Sequence, residues 1–147
     1  MTPEDSGVRV VGVDIGTRRV GLAAADPTRT IASPLLMIER NHPQFWARLA
    51  TAVGERRCGL LVVGLPLDQS GEDGPAAEGA RTFAAEAALR LGVVVELSDE
   101  RFTTRQAERS LISQGMRRAR RRQVIDSVAA ALMLQGWLDA QRSARSA

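Results

Sequence analysis

Three carboxylates in this sequence stand where they could share a metal ion. Asp14 ends an apolar run, Glu100 follows the apolar run "VVVEL" by three residues, and Asp126 lies in the helix-like segment "QVIDSVAAALML". Carboxylates that meet at one point repel each other unless a cation joins them, and Mg²⁺ takes oxygen ligands while keeping positions for water and phosphate. Two such ions stabilise the attacking and leaving oxygens of phosphodiester hydrolysis. Metal-assisted hydrolysis is therefore the chemistry that these acids predict.

Other catalytic chemistry has little support in the composition. The single histidine, His42, precedes the first predicted helix, so a serine nucleophile with a histidine partner is not expected. The single cysteine, Cys58, excludes an intramolecular disulfide and is expected to be a buried apolar residue. The first residues lack the pattern of a signal peptide, and no apolar run is long enough to span a membrane. We expect a cytoplasmic protein without membrane contact.

The apolar pattern predicts the elements that must position the three acids. Val8–Asp14 and Arg19–Ala25 form an expected antiparallel hairpin, because a short turn joins them. Further strands are predicted at Pro34–Glu39, Leu60–Gly64 and Val93–Leu97, and helices at Phe45–Arg57, Ala76–Leu91, Thr103–Gln114 and Val124–Ala140. This order predicts one α/β domain over residues 1–147, with an ordered core from 8 to 140, short flexible tails and a mixed five-stranded sheet whose second strand is antiparallel.

Helical spacing predicts which residues of two helices reach the core. In the first helix these are Phe45, Leu49, Ala52 and Val53, and in the last they are Ile125, Val128, Leu132 and Leu138.

Strand direction predicts which acids come together. Ligands of α/β sheets bind outside the carboxyl ends of the parallel strands, which is where Asp14 and Glu100 are expected. Asp26 ends the antiparallel second strand, so we place it at the opposite edge and exclude it from the site. Asp126 can join the other two if the last helix crosses the sheet, and Ala129 and Ala130 favour that close approach. Alternatively, Asp126 serves only the dipole of its helix, as acids in a first turn do.

Basic residues crowd between two of the candidate ligands. All twenty basic residues of the chain are arginine, and the formal net charge is +3. Arginine binds phosphate through a planar fork, although all-arginine usage also follows from GC-rich coding. Eight arginines and one acid lie between residues 101 and 122, which predicts phosphate contacts or, alternatively, a solvated basic face. The candidates for nucleic-acid binding are Arg101, Arg105, Arg117, Arg118, Arg120, Arg121 and Arg122.

The loop Leu65–Pro75 leaves the fourth strand at the same edge. Gly71 and Gly74 would let it move as a flexible flap over substrate, and the Ser70 hydroxyl could contact phosphate. An ordinary loop that enters the next helix is the alternative.

Four ordered motifs make the chain resemble the YqgF/RuvX family of RNase H-like nucleases over roughly Val8–Leu138. They are "DIGTRRVG", "VVGLPLDQSGEDGP", "DERFTTRQAE" and "RRRQVIDSVAAALML". The resemblance implies an RNase H-like fold and a nuclease that depends on Mg²⁺ or Mn²⁺, with two ions when substrate is bound. The acidic triad of the family falls on Asp14, Glu100 and Asp126, and the arginine of its first motif falls on Arg19, which joins the candidates for nucleic-acid binding.

The resemblance implies two substrates, structured RNA at the 5′ end of precursor 16S rRNA or branched DNA at a Holliday junction. The well-known RuvC-type resolvase pattern has a glutamate where this chain has Gly64-Leu65-Pro66, and a second aspartate where it has Ala129. Resolvase specificity is therefore not inherited from that group. A resolvase needs two sites and hence a homodimer, whereas an RNA nuclease can be a monomer. An actin-like nucleotide-binding module, suggested by "DIGT", and a non-catalytic RNA-binding protein are the remaining alternatives.

Overall fold

The computed structural model describes residues 8–66, 74–99 and 118–146, and for residues 118–126, 145 and 146 it describes the backbone alone. In this part of the chain five strands form one mixed sheet. The strands are β1 (Arg9–Ile15), β2 (Arg19–Ala25), β3 (Ala32–Glu39), β4 (Cys58–Leu65) and β5 (Val94–Asp99). Their order across the sheet is β3-β2-β1-β4-β5.

The strand directions are those that the sequence predicts. β2 is antiparallel to β1, and β4 is parallel to β1. β5 is parallel to β4, so β1, β4 and β5 all end at one edge, which we call the carboxyl-end edge. The predicted mixed five-stranded sheet with its second strand antiparallel is thus confirmed.

Helices cover both faces of this sheet. The described residues form α1 (Phe45–Glu55), α2 (Pro75–Leu91) and α3 (Arg118–Ser146). The predicted core face of α1 is confirmed, because Phe45, Leu49, Ala52 and Val53 are all buried. Pro75 begins α2, where its missing N–H costs nothing, and Gly92 ends it in the left-handed conformation that glycine adopts without strain. The predicted helix Thr103–Gln114 lies outside the described residues.

The sheet separates two large apolar clusters, one on each of its faces. Alternate residues of the central strand, Val11 and Val13, pack with α1 and α2, while Val10 packs with α3. Cys58 is half-buried against the first cluster, and burial raises the pKa of its thiol. The central strands carry apolar residues on both faces because both are covered.

The last helix differs from its prediction in length and in rotation. It begins at Arg118, before the predicted Val124, since arginine is a good helix former and no breaker intervenes. It continues to Ser146, past the predicted end at Ala140.

The rotation of α3 also differs from its prediction, because the side with Ala130 and Leu134 packs on the sheet rather than the side with Val128 and Leu132. Val128 and Leu132 are only half-buried, whereas Ala130, Leu134 and Leu138 are almost fully buried. Of the predicted core contacts of this helix, Leu138 is confirmed. The side chain of Ile125 lies outside the described residues. Among the described residues, no helix has the length and apolar character that crossing a membrane requires.

Candidate active site

Asp14 lies next to the end of β1 at the carboxyl-end edge. It is 7% exposed, and Asp14 and Ser127 are the buried polar residues among those described. Side chains alternate along a strand, so Asp14 shares the α3 face of the sheet with Val10 and Gly12. The sequence therefore fixes a carboxylate at the end of an otherwise apolar strand, on the side that α3 covers.

Glycine flanks Asp14 on the neighbouring strands. Asp14 pairs with Gly21 of β2. On the other side Val13 pairs with Val63, and the next position of this parallel register brings Gly64 beside Asp14. Because neither glycine carries a side chain, no side chain of β2 or β4 stands beside the Asp14 carboxylate in this row of the sheet.

The direction of α3 sets where its acidic residue lies. A Cβ atom on Gly12 would lie 3.0 Å from Cβ of Leu134, so the helix crosses β1 in close contact. Beyond that crossing, the Gln135 side chain hydrogen-bonds to Thr30 O at 2.8 Å and to the Ala32 N–H at 2.9 Å, at the edge opposite to Asp14. The part of α3 that precedes Leu134 therefore extends toward the carboxyl-end edge. The backbone of Asp126 lies in that part.

The third candidate acid lies just past the described part of β5. This strand ends at Asp99, which pairs with Leu65 at the end of β4. Glu100 is the next residue of the chain and lies outside the described residues, and the side chain of Asp126 does so too. Among the described residues no group of three acids, histidines or cysteines could hold a metal ion. The convergence of the triad thus stays a prediction.

Asp26 lies at the opposite edge, as strand direction predicts. It follows Ala25, the last residue of β2, and its Oδ1 accepts hydrogen bonds from the N–H groups of Ile31 and Thr30 at 2.9 and 2.7 Å. Its Oδ2 accepts a bond from the Thr28 hydroxyl at 2.5 Å. These bonds, that of Ile31 first, lower the pKa of Asp26 to about 2. Asp26 therefore closes the turn before β3.

Arg19 is the candidate arginine whose side chain the structure describes. It begins β2 two residues before Gly21, the partner of Asp14, and is therefore a diagonal neighbour of Asp14 on the α3 face. Diagonal neighbours lie about 7–8 Å apart, within the reach of an arginine. Arg118, Arg120, Arg121 and Arg122 belong to α3 by their backbone, not to a linking segment before the helix. Arg101, Arg105 and Arg117 lie outside the described residues.

Of the predicted flexible loop, the structure describes one of the three named residues. Gly74 precedes α2 as its N-cap in an extended conformation. Ser70 and Gly71 lie outside the described residues, so the proposed movement of this loop stays a prediction.

Two exposed basic residues at the carboxyl-end edge, Arg18 and Arg40, were not among the predicted candidates. Arg40 follows β3, and its Nη1 donates a hydrogen bond to Gly16 O at 3.0 Å, in the turn after Asp14. Arg40 could have been predicted from the strand order, because a β3 that runs antiparallel to β2 ends at this edge and Arg40 follows it.

Comparison with known proteins identifies the family. The family model that matches residues 8–140 is RuvX, described as Holliday junction resolvase. The chain belongs to the RuvX family. The match includes Asp14, Glu100 and Asp126, and membership in a family of nucleases favours an enzyme over an actin-like module or a non-catalytic RNA-binding protein.

Curated RuvX relatives are similar over nearly the whole chain. A protein of Myxococcus xanthus named "Putative pre-16S rRNA nuclease" is 45% identical over 136 residues, which are 92% of this chain and 90% of the relative. One of the same name from Pelotomaculum thermopropionicum is 44% identical, over 91% of this chain and 88% of the relative. Both names describe nucleases.

A solved structure of similar fold is RuvC of Thermus thermophilus in complex with a Holliday junction substrate. It is 20% identical and has a TM-score of 0.53, with 92% of this RuvX chain and 96% of RuvC covered. At this identity the likeness shows the fold alone, which agrees with the mixed sheet described above.

Proposed function

We propose that this RuvX-family nuclease hydrolyses phosphodiester bonds with the help of Mg²⁺ or Mn²⁺, and that its substrate is the 5′ end of precursor 16S rRNA. The observation that carries the proposal is the buried Asp14 at the carboxyl-end edge, between two glycine positions and beneath α3. A carboxylate so placed has no use in the packing of the apolar core that surrounds β1. A divalent ion and a phosphate are the partners that such a carboxylate suits.

The donor chemistry of the described residues fits a hard cation. Asp14 supplies carboxylate oxygens, and its glycine neighbours place no side chain of β2 or β4 between it and an ion. Glu100 and Asp126 would complete the ligand set, the first as the residue after Asp99 and the second from the first part of α3. A bound pair of ions would supply charge stabilisation to the attacking and leaving oxygens.

In this proposal the acidic residues hold the metal ions and the arginines position the substrate phosphates. Asp14, Glu100 and Asp126 hold negative charge at the point where the scissile phosphate must come close. Arg19, beside Asp14 on the same face, would balance the charge of a bound phosphate through its guanidinium. The arginines at the beginning of α3, together with Arg101, Arg105 and Arg117, would contact phosphates farther along the strand without reading its sequence.

The choice of RNA follows the curated relatives, whose names specify pre-16S rRNA. Processing of ribosomal precursors takes place in the cytoplasm of a bacterial cell, so we propose that the protein acts there. A single chain carries one triad, and one cut at one RNA end needs no second site, so a monomer would suffice.

Replacement of Asp14 tests the proposal. We expect Asp14→Asn to lower Mg²⁺- or Mn²⁺-dependent cleavage of a precursor 16S rRNA fragment by about 10²-fold or more, since removal of a mere supporting group at a metal site already costs about 10- to 100-fold. Binding of the fragment should change little. Asp26→Asn is the matched control, because it makes the same chemical change at the opposite edge and should leave cleavage intact. Cleavage by Asp14→Asn at the wild-type rate would refute the proposal.

A second candidate function is Holliday junction resolution, which the description of the matched family favours. It would use the same acids on branched DNA and would require two of these chains, since a junction is cut symmetrically. A direct comparison of cleavage on precursor rRNA fragments and four-way DNA junctions, with sedimentation of the protein on each, separates the two substrates. A protein that stays monomeric on junction DNA would argue against resolution.

A further inference from the structure

A polar groove opens at the carboxyl-end edge, beside the turn that follows Asp14. Its volume is about 430 Å³. Its lining consists of Thr17, Arg18, Glu39, Arg40 and Asn41. We call it the turn groove. Asp14, the member of the predicted triad whose side chain the structure describes, is not among these lining residues, so the groove lies beside the Asp14 carboxylate and not at it.

Hydrogen bonds hold Arg40 against the turn. Its Nη1 donates to Gly16 O at 3.0 Å, and its backbone N–H donates to Arg18 O at 2.8 Å. The turn itself is closed by a bond from the Gly16 N–H to Arg19 O at 2.8 Å. A guanidinium has five N–H donors, and one of those of Arg40 is bonded to the residues that the structure describes, so the bond orients the group while other donors can reach a ligand.

The remaining lining suits an anion that accepts several hydrogen bonds. Arg18 and Arg40 are both exposed, and against these two cations the lining has one carboxylate, Glu39. The Thr17 hydroxyl and the Asn41 amide add neutral donors. A phosphodiester offers unesterified oxygens to such donors, and arginine binds them with a planar fork.

The groove is close enough to Asp14 to act on the same strand of substrate. Thr17 follows Asp14 by three residues, and three residues span at most about 11 Å. Phosphates bound there would therefore be near neighbours of the phosphate that is cut.

We propose that the turn groove binds a backbone phosphate of the RNA and so positions the strand for cleavage at Asp14. The proposal deepens the proposed function and rests on it for the identity of the strand. It assigns to Arg18 and Arg40 a positioning role that does not depend on the bases of the RNA.

The test measures binding separately from cleavage. In the non-cleaving Asp14→Asn protein, the affinity for a labelled precursor 16S rRNA fragment is measured by fluorescence anisotropy at several salt concentrations. We expect Arg40→Ala and Arg18→Ala each to weaken binding about 3- to 10-fold. We also expect the slope of log K against log salt to become shallower by about 0.7 for each phosphate of a single strand that the variant no longer neutralises.

Arg56→Ala is the matched control. Arg56 is also an exposed arginine, but it follows the end of α1 near the beginning of β4, at the opposite edge of the sheet. Its replacement removes the same charge, so its effect measures the change in long-range attraction alone. Arg40→Ala could lower thermal stability, because it removes the bond to Gly16 O. In that case the result for Arg18→Ala tests the proposal, because the Arg18 side chain is exposed and its removal should not affect folding. Binding and salt slopes of the groove variants equal to those of Arg56→Ala would overturn the proposal.

The two proposals fail in different ways. A wild-type protein that binds the fragment but never cleaves it, with binding still sensitive to Arg18 and Arg40, would refute the nuclease proposal and retain the groove. A wild-type protein that cleaves the fragment normally, with binding that Arg18→Ala and Arg40→Ala do not weaken beyond the control, would refute the groove proposal and retain the nuclease proposal.

Discussion

Gly12 of β1 lies so close to Leu134 of α3 that a Cβ atom on Gly12 would stand 3.0 Å from Cβ of Leu134. Both positions belong to well-packed elements, since Leu134 is fully buried in the cluster between α3 and the sheet. This close approach fixes the distance of α3 from the strand that carries Asp14 two residues farther on. The distance of the Asp126 backbone from the strand that carries Asp14 therefore depends on Gly12, which has no catalytic group.

Gly12→Ala should destabilise the protein and displace α3. Cβ atoms cannot rotate away, so the helix must move, and overpacking of a core typically costs about 1–3 kcal/mol in the free energy of unfolding. Urea denaturation measures this decrease. Gly136→Ala is the control, because Gly136 is exposed on the same helix with no atom within 4 Å of an added Cβ. It should stabilise by up to about 1 kcal/mol through helix propensity. Equal stability of Gly12→Ala and wild type would contradict the tight crossing.

Asp126→Asn should abolish metal-dependent cleavage without unfolding α3. The direction of this helix brings the backbone of Asp126 toward the carboxyl-end edge, where we propose that its carboxylate joins Asp14. Far-UV circular dichroism should match wild type, while cleavage falls about 10²-fold or more. Asp139→Asn makes the same change in the same helix, beyond Gln135 and near Thr30, and should cleave normally. If Asp126→Asn kept its activity, the acid of this helix would serve only the helix dipole.

Asp26 should make the stability depend on acid. Its pKa in the folded protein is about 2, below the ordinary 3.8, because Ile31, Thr28 and Thr30 donate hydrogen bonds to the ionised carboxylate. The folded state then binds fewer protons than the unfolded state between these values, so stability from this group is present above about pH 4 and disappears as the pH falls through about 2. The midpoint temperature of unfolding, measured from about pH 2 to about pH 5, should be less pH-dependent in Asp26→Asn than in wild type. Identical pH profiles would show that these bonds do not persist in solution.

Gln135→Ala should loosen the end of α3 that lies away from the site. The side chain joins the helix to Thr30 O and to the N–H of Ala32 at the beginning of β3. Leaving a half-buried N–H without its partner costs about 1–2 kcal/mol in the free energy of unfolding. Gln44→Ala, at an exposed N-cap without a side-chain capping bond, should change stability much less. Comparable destabilisation by both variants in urea denaturation would argue against this clamp.

Much of the fold could be predicted from local patterns. The hairpin of β1 and β2 follows from two apolar runs with a short polar turn between them, and β2 has the predicted bounds Arg19–Ala25. The buried face of α1 follows from helical spacing, because large apolar residues recur on one side. The rejection of Asp26 needed strand direction alone, since an antiparallel strand must end at the edge where its partner begins.

The rotation of α3 could not be predicted in this way. Its sequence has apolar residues on several sides, and helical spacing suggested a face with Val128 and Leu132. The structure instead turns Ala130 and Leu134 to the sheet, because the flat surface at Gly12 accepts a close helix and small side chains permit one. Packing against a distant strand therefore set the rotation of this helix.

The sequence by itself was enough to predict the candidate acids and the edge of the sheet at which they are expected. Short apolar runs and the turns between them indicate the order and direction of the strands. Tertiary structure alone decided what surrounds them: the glycines beside Asp14, the crossing of α3 at Gly12, and the bond from Arg40 to the turn after Asp14. These relationships join residues from separate parts of the chain. They depend on register and packing distance, which no local pattern encodes.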